Sequence, residues 1–249
     1  MKRKLRYGLS IGMVFLLAGA IALSQYWRSR DFVERYYYDR THSQETVSSK
    51  KAIQSILAEF ERVPYAKLDP DYLRQTASDE AVFRKMLSNK HYYLIPGDAI
   101  YRKIVGDYRI ADFLPKDQYY RQHVLDLGDS ELYWLVDPKL LYAFLQLQQE
   151  LAKQGYQSDA FVIYNGYRHP AYNRKIGGAN RSRHILGQAV DISIRDINGD
   201  GRSTKADKEI VLDILDRTVI GNRGGLGRYP GTMSVHFDVR GRRARWDQQ

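Results

Sequence analysis

Two short stretches in which apolar and polar residues alternate strictly constrain this fold more than anything else in the chain. Over 189–194, Val190, Ile192 and Ile194 point to one side of an extended backbone, and Ala189, Asp191 and Ser193 to the other. Over 234–239, Val235, Phe237 and Val239 share one side, and His236 and Asp238 the other. A period of two does not make an amphipathic helix, so both stretches read as strands with one face on a core. His184 stands just before the first strand, in a segment punctuated by Gly187. If the two strands are neighbours, His184, Asp191 and His236 converge. Two imidazoles and a carboxylate, with a fourth position open to water, make a catalytic zinc arrangement. Zinc so held polarises a carbonyl and activates water, which suits amide hydrolysis. The alternation alone leaves other assignments open. Asp191 capping a strand or pairing with an arginine, and histidines serving as surface or hydrogen-bonded core groups, compete with the metal reading.

The chain of 249 residues contains no cysteine. This excludes disulfides, thiolate metal sites, a cysteine nucleophile and a lipidated cysteine. Any metal must therefore be held by His, Asp, Glu or carbonyl oxygen. Lys and Arg total 39 against 29 Asp and Glu, a net charge of +10, which favours an anionic partner: nucleic acid, a membrane surface or an acidic polymer such as cell wall. Four of those cations, Lys2, Arg3, Lys4 and Arg6, precede a charge-free apolar stretch over 8–23. Counted from Tyr7 to Trp27, the segment is about 21 residues, or roughly 31 Å as a helix, enough to span a bilayer. Tyr26 and Trp27 fit an interfacial aromatic belt, and Arg28 and Arg30 follow. The segment 1–27 reads as an uncleaved signal anchor forming a single transmembrane helix, with the remainder exported beyond the cytoplasmic membrane. Ala18, Ala20 and Ala22 leave cleavage and secretion as the alternative. With these cations assigned to the anchor, no nucleic-acid partner is expected.

Residues 28–90 read as a polar, helical, membrane-proximal region. Ile53, Ile56, Leu57 and Phe60 recur at helical spacing, the Leu68-Asp69-Pro70 turn interrupts, and 79–87 forms another short helix. From His91 the character changes to runs of strand formers, such as 92–95 and 132–136. Asp137 and Pro138 open a clear helix, with Leu140, Leu141, Phe144, Leu145, Leu147 and Leu151 as its apolar face and Gly155 as its stop. Residues 161–164 read as a short buried strand. Strands with separate helices, not regular βαβ units, indicate an α+β domain over 91–249. The segment 28–130 is the candidate surface for an envelope protein partner.

The motif block extends this reading. Asn165-Gly166-Tyr167-Arg168, Asn173, Gly177-Gly178-Ala179, Ser182-x-His184-x-x-Gly187-x-Ala189-x-Asp191, Gly224-Gly225-x-Gly227-x-Tyr229 and Val235-His236-x-Asp238 follow one another over 165–238. Their order and spacing resemble the zinc D-Ala-D-Ala carboxypeptidases and murein endopeptidases, relatives of the vancomycin-resistance dipeptidase and of the hedgehog fold. The resemblance covers roughly 135–246. It implies a small antiparallel sheet with flanking helices. It implies zinc on His184, Asp191 and His236, and Arg168 binding substrate or stabilising developing charge, with Ser182 and Tyr229 beside the substrate. It implies hydrolysis of D-amino-acid-containing peptides of peptidoglycan; the alternative is a non-catalytic peptidoglycan-binding or scaffold module on the same fold. The sequence departs from the pattern at Met233, three residues before the last ligand, where the vancomycin-resistance dipeptidase and its closest relatives place a Glu as general base. Asp238 is then the nearest candidate for proton transfer, sharing a face with His236; orienting a ligand or pairing with Arg240 is the alternative. His169, where relatives carry a small polar residue, reads as a solvated loop position.

A second metal pattern runs from Asp196 to Asp207. Asp196, Asn198 and Asp200 stand at loop positions 1, 3 and 5, Gly201 at 6, the Arg202 carbonyl at 7 and Asp207 at 12. The pattern resembles the EF-hand-like calcium loop of dockerin repeats, although a strand enters it and its last carboxylate is Asp. Ile210, Val211, Ile214 and Leu215 form the apolar side of the helix that follows. Calcium bracing is the expectation, and an Asx-rich surface loop the alternative. The four arginines of 240–245 read as a solvated face, with Arg242 and Arg243 meeting anionic glycan or lipid headgroups as the alternative.

Overall fold

The computed structural model describes residues 26, 28–42, 44–128 and 130–247. Apart from Tyr26, the expected membrane-spanning segment 1–27 lies outside these residues. Among the described residues, no helix is long and apolar enough to cross a membrane.

In chain order, α1 (28–41) and α2 (Lys50–Ala58) lead into β1 (Arg62–Pro64), α3 (Pro70–Gln75) and α4 (Ala81–Leu87). Then come β2 (His91–Pro96), β3 (Lys103–Val105), β4 (Tyr108–Arg109), α5 (Ile110–Phe113), α6 (Gln118–Leu125) and β5 (Glu131–Trp134). The motif-bearing part contains α7 (Pro138–Lys153), β6 (Phe161–Asn165), α8 (Pro170–Lys175), β7 (Ala189–Ile194), α9 (Lys205–Ile214), β8 (Gly225–Gly227), β9 (Ser234–Asp238) and β10 (Ala244–Trp246). The α+β class holds.

The principal sheet has the order β10-β8-β9-β7-β6. It is antiparallel except at one edge, where β10 pairs parallel to β8. Behind it lies α7, which starts where expected. Asp137 accepts a hydrogen bond from the Lys139 N–H at 3.0 Å, and Pro138 supplies the first turn. All six residues of its anticipated apolar face are buried. Each such side chain contributes about 1.5–3 kcal/mol by leaving water, so this helix fixes the back of the sheet.

Three expectations change. The 28–90 region is not purely helical: β1 pairs with β2, and β2 with β5, in a second sheet. A three-residue strand is too short to show alternation, and only its partner makes it one. That pairing crosses the expected boundary at residue 90, and one apolar core runs from Tyr38 to Phe237. The third change concerns β6. It is an edge strand, so Val162 and Tyr164 remain exposed and the strand is half-buried, not buried.

Candidate metal centre and cleft

β7 and β9 are neighbours, and their register places Asp191 directly opposite His236. His184 comes from a 3-10 turn, Arg183–Leu186, whose N-cap Ser182 accepts from the His184 N–H at 3.3 Å. Gly187 ends that turn at φ +63°. Its α-carbon presses on the Leu135 carbonyl, where a Cβ would collide. This turn swings the chain into β7, so that His184 and Asp191 face one point. His184 Nε2 lies 3.1 Å from His236 Nδ1 and 3.2 Å from Asp191 Oδ1, and His236 Nδ1 lies 2.8 Å from Asp191 Oδ1.

The hydrogen bonds behind the two rings assign their tautomers. His184 Nδ1–H donates to the Gly166 carbonyl at 2.7 Å, which leaves Nε2 with a lone pair on the inner side. His236 Nε2–H donates to Asp238 Oδ2 at 3.1 Å, which leaves Nδ1 likewise. Two nitrogen lone pairs and a carboxylate oxygen thus point at one centre. Ligands at about 2.0–2.1 Å from a tetrahedral zinc ion lie about 3.3 Å apart, close to the separations found here. The donor set and its spacing fit zinc. Among the described residues, these three make the one cluster of His and acidic groups able to hold a metal.

Burial and charge oppose each other in this cluster. Burial pushes His184 down, against the pull of Asp191. Burial alone would raise Asp191, but the charges and hydrogen bonds of His184 and His236 hold it well below the carboxylate range. His236 goes the other way from His184: burial is outweighed by hydrogen bonds to Asp191 and Asp238, and it is raised.

The triad opens on a cleft of about 830 Å³, whose lining includes Arg168, Ser182 and Tyr229 as anticipated. Arg168 is buried and donates to Asp191 Oδ2. Its Nε–H is buried with no partner among the described residues. Asp238 is not in the cleft. It is fully buried behind His236 and accepts from the Gly225 N–H at 3.2 Å and from Arg240 Nε at 2.8 Å. Gly225 makes room for this pair, because a Cβ there would strike Asp238 Oδ2. Burial would raise Asp238, but hydrogen bonds from His236 and Arg240 keep it ionised. The expected proton-transfer role is therefore corrected: Asp238 holds the His236 ring and is sealed from the cleft. Met233 lines a separate groove with Lys208, not the cleft. Among the described residues, Asp191 is the one carboxylate lining the cleft.

The side-chain oxygens of the acidic loop are taken up by hydrogen bonds within the loop and to the start of α9. Asp196 accepts from the N–H groups of Gly199, Asp200 and Gly201, at 2.8, 3.1 and 2.8 Å. Asn198 accepts from the Asp200 N–H at 3.0 Å, and Asp200 from the Arg202 N–H at 2.9 Å. Asp207 turns inward, accepting from Ile197 N, Asn198 N, Thr204 N and Thr204 Oγ1 at 2.7–3.0 Å as the capping residue of α9. The carboxylates of Asp196, Asp200 and Asp207 do not form a common cluster. The Asx-rich loop is the reading these bonds support.

One other expectation fails and another holds only in part, both for tertiary reasons. His169 is buried, not solvated: Nδ1 lies 2.6 Å from Asp117 Oδ2, and the ring packs edge-on against Tyr72, Tyr119 and Tyr167. Of the C-terminal arginines, Arg240 pairs with Asp238, and Arg243 and Arg245 pair with Asp216. Arg242 is exposed on the cleft.

Sequence reading missed several cleft groups. Tyr164 is brought in by the open face of β6, and Trp246 lies tilted against the His236 ring with centroids 5.1 Å apart, carried there by the parallel edge strand. Arg181 and Arg183 flank Ser182 within the motif itself. Lys208, buried beside Asp207, donates from Nζ to the Tyr229 carbonyl at 2.9 Å and the Thr232 carbonyl at 2.7 Å. It holds the loop on which Tyr229 sits at φ +36°. Nothing in an amphipathic helix marks such a lysine in advance.

A protein-family model described as Peptidase M15 matches residues 136–238, the span from the start of α7 to Asp238. No curated protein matches the chain. The matched segment carries the whole triad, and M15 peptidases are zinc-dependent, so the match supports a metallopeptidase in general.

Proposed function

We propose that this chain is a zinc metallopeptidase that hydrolyses D-amino-acid-containing peptide bonds of peptidoglycan, as a D,D-carboxypeptidase or an endopeptidase. The observation that carries the reading is the convergence of His184 Nε2, Asp191 Oδ1 and His236 Nδ1 at the wall of an open cleft. Zinc held there supplies Lewis-acid polarisation of a scissile carbonyl and activation of water. The protein supplies the rest. The Gly166 carbonyl and Asp238 fix the two imidazoles. Arg168 is clamped by Asp191 and retains an unpartnered buried N–H, a donor for a substrate carboxylate or a developing oxyanion. Tyr164 and Tyr229 are held above the usual phenol range, by burial first and then by the charge of Asp191. Both remain phenols, so they donate hydrogen bonds and do not act as bases. Residues 8–23, by composition, anchor the chain to the cytoplasmic membrane with the cleft outside.

One observation favours a second reading. Beyond Asp191 no carboxylate lines the cleft, so a module that only binds peptidoglycan is the rival. The zinc-loaded full chain, incubated with purified peptidoglycan and with D-Ala-D-Ala-terminated peptides, separates the two. Zinc-dependent release of D-Ala or of cleaved muropeptides, absent in His184→Ala, is the expected result. Saturable binding without product would overturn hydrolysis and leave the binding module.

A further inference from the structure

The part of the cleft beyond the triad carries more positive charge than the proposed chemistry uses. Arg181, Arg183, Arg240 and Arg242 all line it, in addition to Arg168. Arg168 and Arg240 are neutralised by Asp191 and Asp238. The other three are not. Arg181 and Arg242 are exposed and make no side-chain hydrogen bond or ion pair among the described residues. Arg183 has a single neutral partner, Gln188 Oε1, at 3.3 Å.

These arginines belong together. Arg240 and Arg242 lie near enough to Arg183 to act on it electrostatically. Arg183 is half-buried, so its repulsion from them is screened less than on an open surface. Tyr164 and Tyr229, by contrast, sense Arg168 and Asp191. The arginines reach the cleft from the 177–183 segment and the turn after β9, and Tyr164 reaches it from β6. Elsewhere in the same C-terminal run the chain neutralises its arginines, placing Asp216 against Arg243 and Arg245. Among the described residues no acidic side chain other than Asp191 lines the cleft, so the excess charge there suits an anion from outside.

We propose that Arg181, Arg183 and Arg242 form an anion subsite that selects acidic peptides, gripping a carboxylate of the ligand remote from the bond at the metal. Planar guanidinium groups suit carboxylates because two N–H donors match two oxygens. The subsite rests on the peptide-binding reading of the cleft but not on hydrolysis. It assigns specificity to arginines other than Arg168, so an acidic peptide is held at two points.

The test uses the zinc-loaded full chain and two synthetic D-Ala-D-Ala-terminated peptides. They are identical except that the side-chain carboxylates of one are carboxamides in the other. Kd is read by calorimetry at low and at raised salt, and product release is followed in parallel. The acidic peptide is expected to bind about tenfold tighter, with the preference shrinking as salt rises. In the double variant Arg181→Gln/Arg242→Gln the ratio of the two Kd values should fall towards one. Neither residue has a partner in the fold to lose, so misfolding does not cloud the result. Arg183→Gln, read alone, should lower the ratio by a similar factor. Equal Kd values in the wild type, or a preference that survives in the double variant, would overturn the subsite. Preferential binding without product would overturn hydrolysis and keep the subsite, and product without preference would do the reverse.

Discussion

The triad and the acidic loop are both metal patterns in the sequence, and only the triad keeps its ligand atoms turned to one point. The difference lies in where the lone pairs go. Asp191 gives Oδ2 to Arg168 and turns Oδ1 towards two imidazoles whose own N–H groups are occupied behind them. One atom from each of the three residues is thereby turned to a common point. A carboxylate offers about four acceptor sites. Asp207 fills them with three backbone N–H groups and the Thr204 hydroxyl. Its negative charge is already used in closing the loop and capping α9. Spacing along the chain tells which carboxylates can meet; the backbone donors nearby decide whether they have anything left to offer.

The largest effect that would sharpen this comparison is at His184. His184→Ala removes one of three protein ligands, so elemental analysis of the purified variant should find zinc lost and any peptidase activity with it. Zinc retained at one equivalent would place the metal elsewhere. Next comes Asp238→Asn, which keeps the shape but removes the charge that orients His236. Zinc affinity, measured by competition with a chelator, is expected to weaken by about 10- to 100-fold. The apo variant should be destabilised as well, because the partly buried Arg240 loses its counter-charge. An unchanged zinc affinity would show that the His236–Asp238 contact only braces the fold. Lys208→Met should loosen the Tyr229 loop, raising KM several-fold while zinc content stays at the wild-type level. A change in zinc content instead would mean that α9 bears on the triad itself.

How far the sequence disclosed these features depended on how local their causes are. The triad was legible because alternation with a period of two fixes faces, and β7 and β9 needed only to be adjacent. α7 was legible from its cap and its apolar stripe. Neither the β1–β2 pairing nor the parallel β10 edge could be read, since strands of three residues take their identity from a partner. His169 and Asp238 were misplaced for one shared reason. Polar residues look solvated or catalytic along a chain until the Asp117 or the Arg240 that closes over them is in place. The anticipated anchor over 8–23 lies outside the described residues, so its assignment still rests on composition.

The smallest effects concern the loop, and they test the comparison from its other side. Asp207→Ala strands the buried Ile197 N–H and removes the capping box of α9, so a loss of roughly 2–4 kcal/mol in a denaturant titration is expected. Calcium itself should do almost nothing. A bound ion stabilises the native state in proportion to the logarithm of its concentration over its Kd. To coordinate one, Asp207 would have to release up to four hydrogen bonds and reopen the start of α9, each step costing about as much as the ion returns. Millimolar calcium should therefore leave the Tm of the wild type unchanged within error, and Asp200→Ala should respond to calcium no differently. A Tm that climbs with calcium in the wild type but not in Asp200→Ala would mean that the loop rearranges to bind. The line drawn between spent and unspent carboxylates would then separate two conformations of the loop and not two kinds of site.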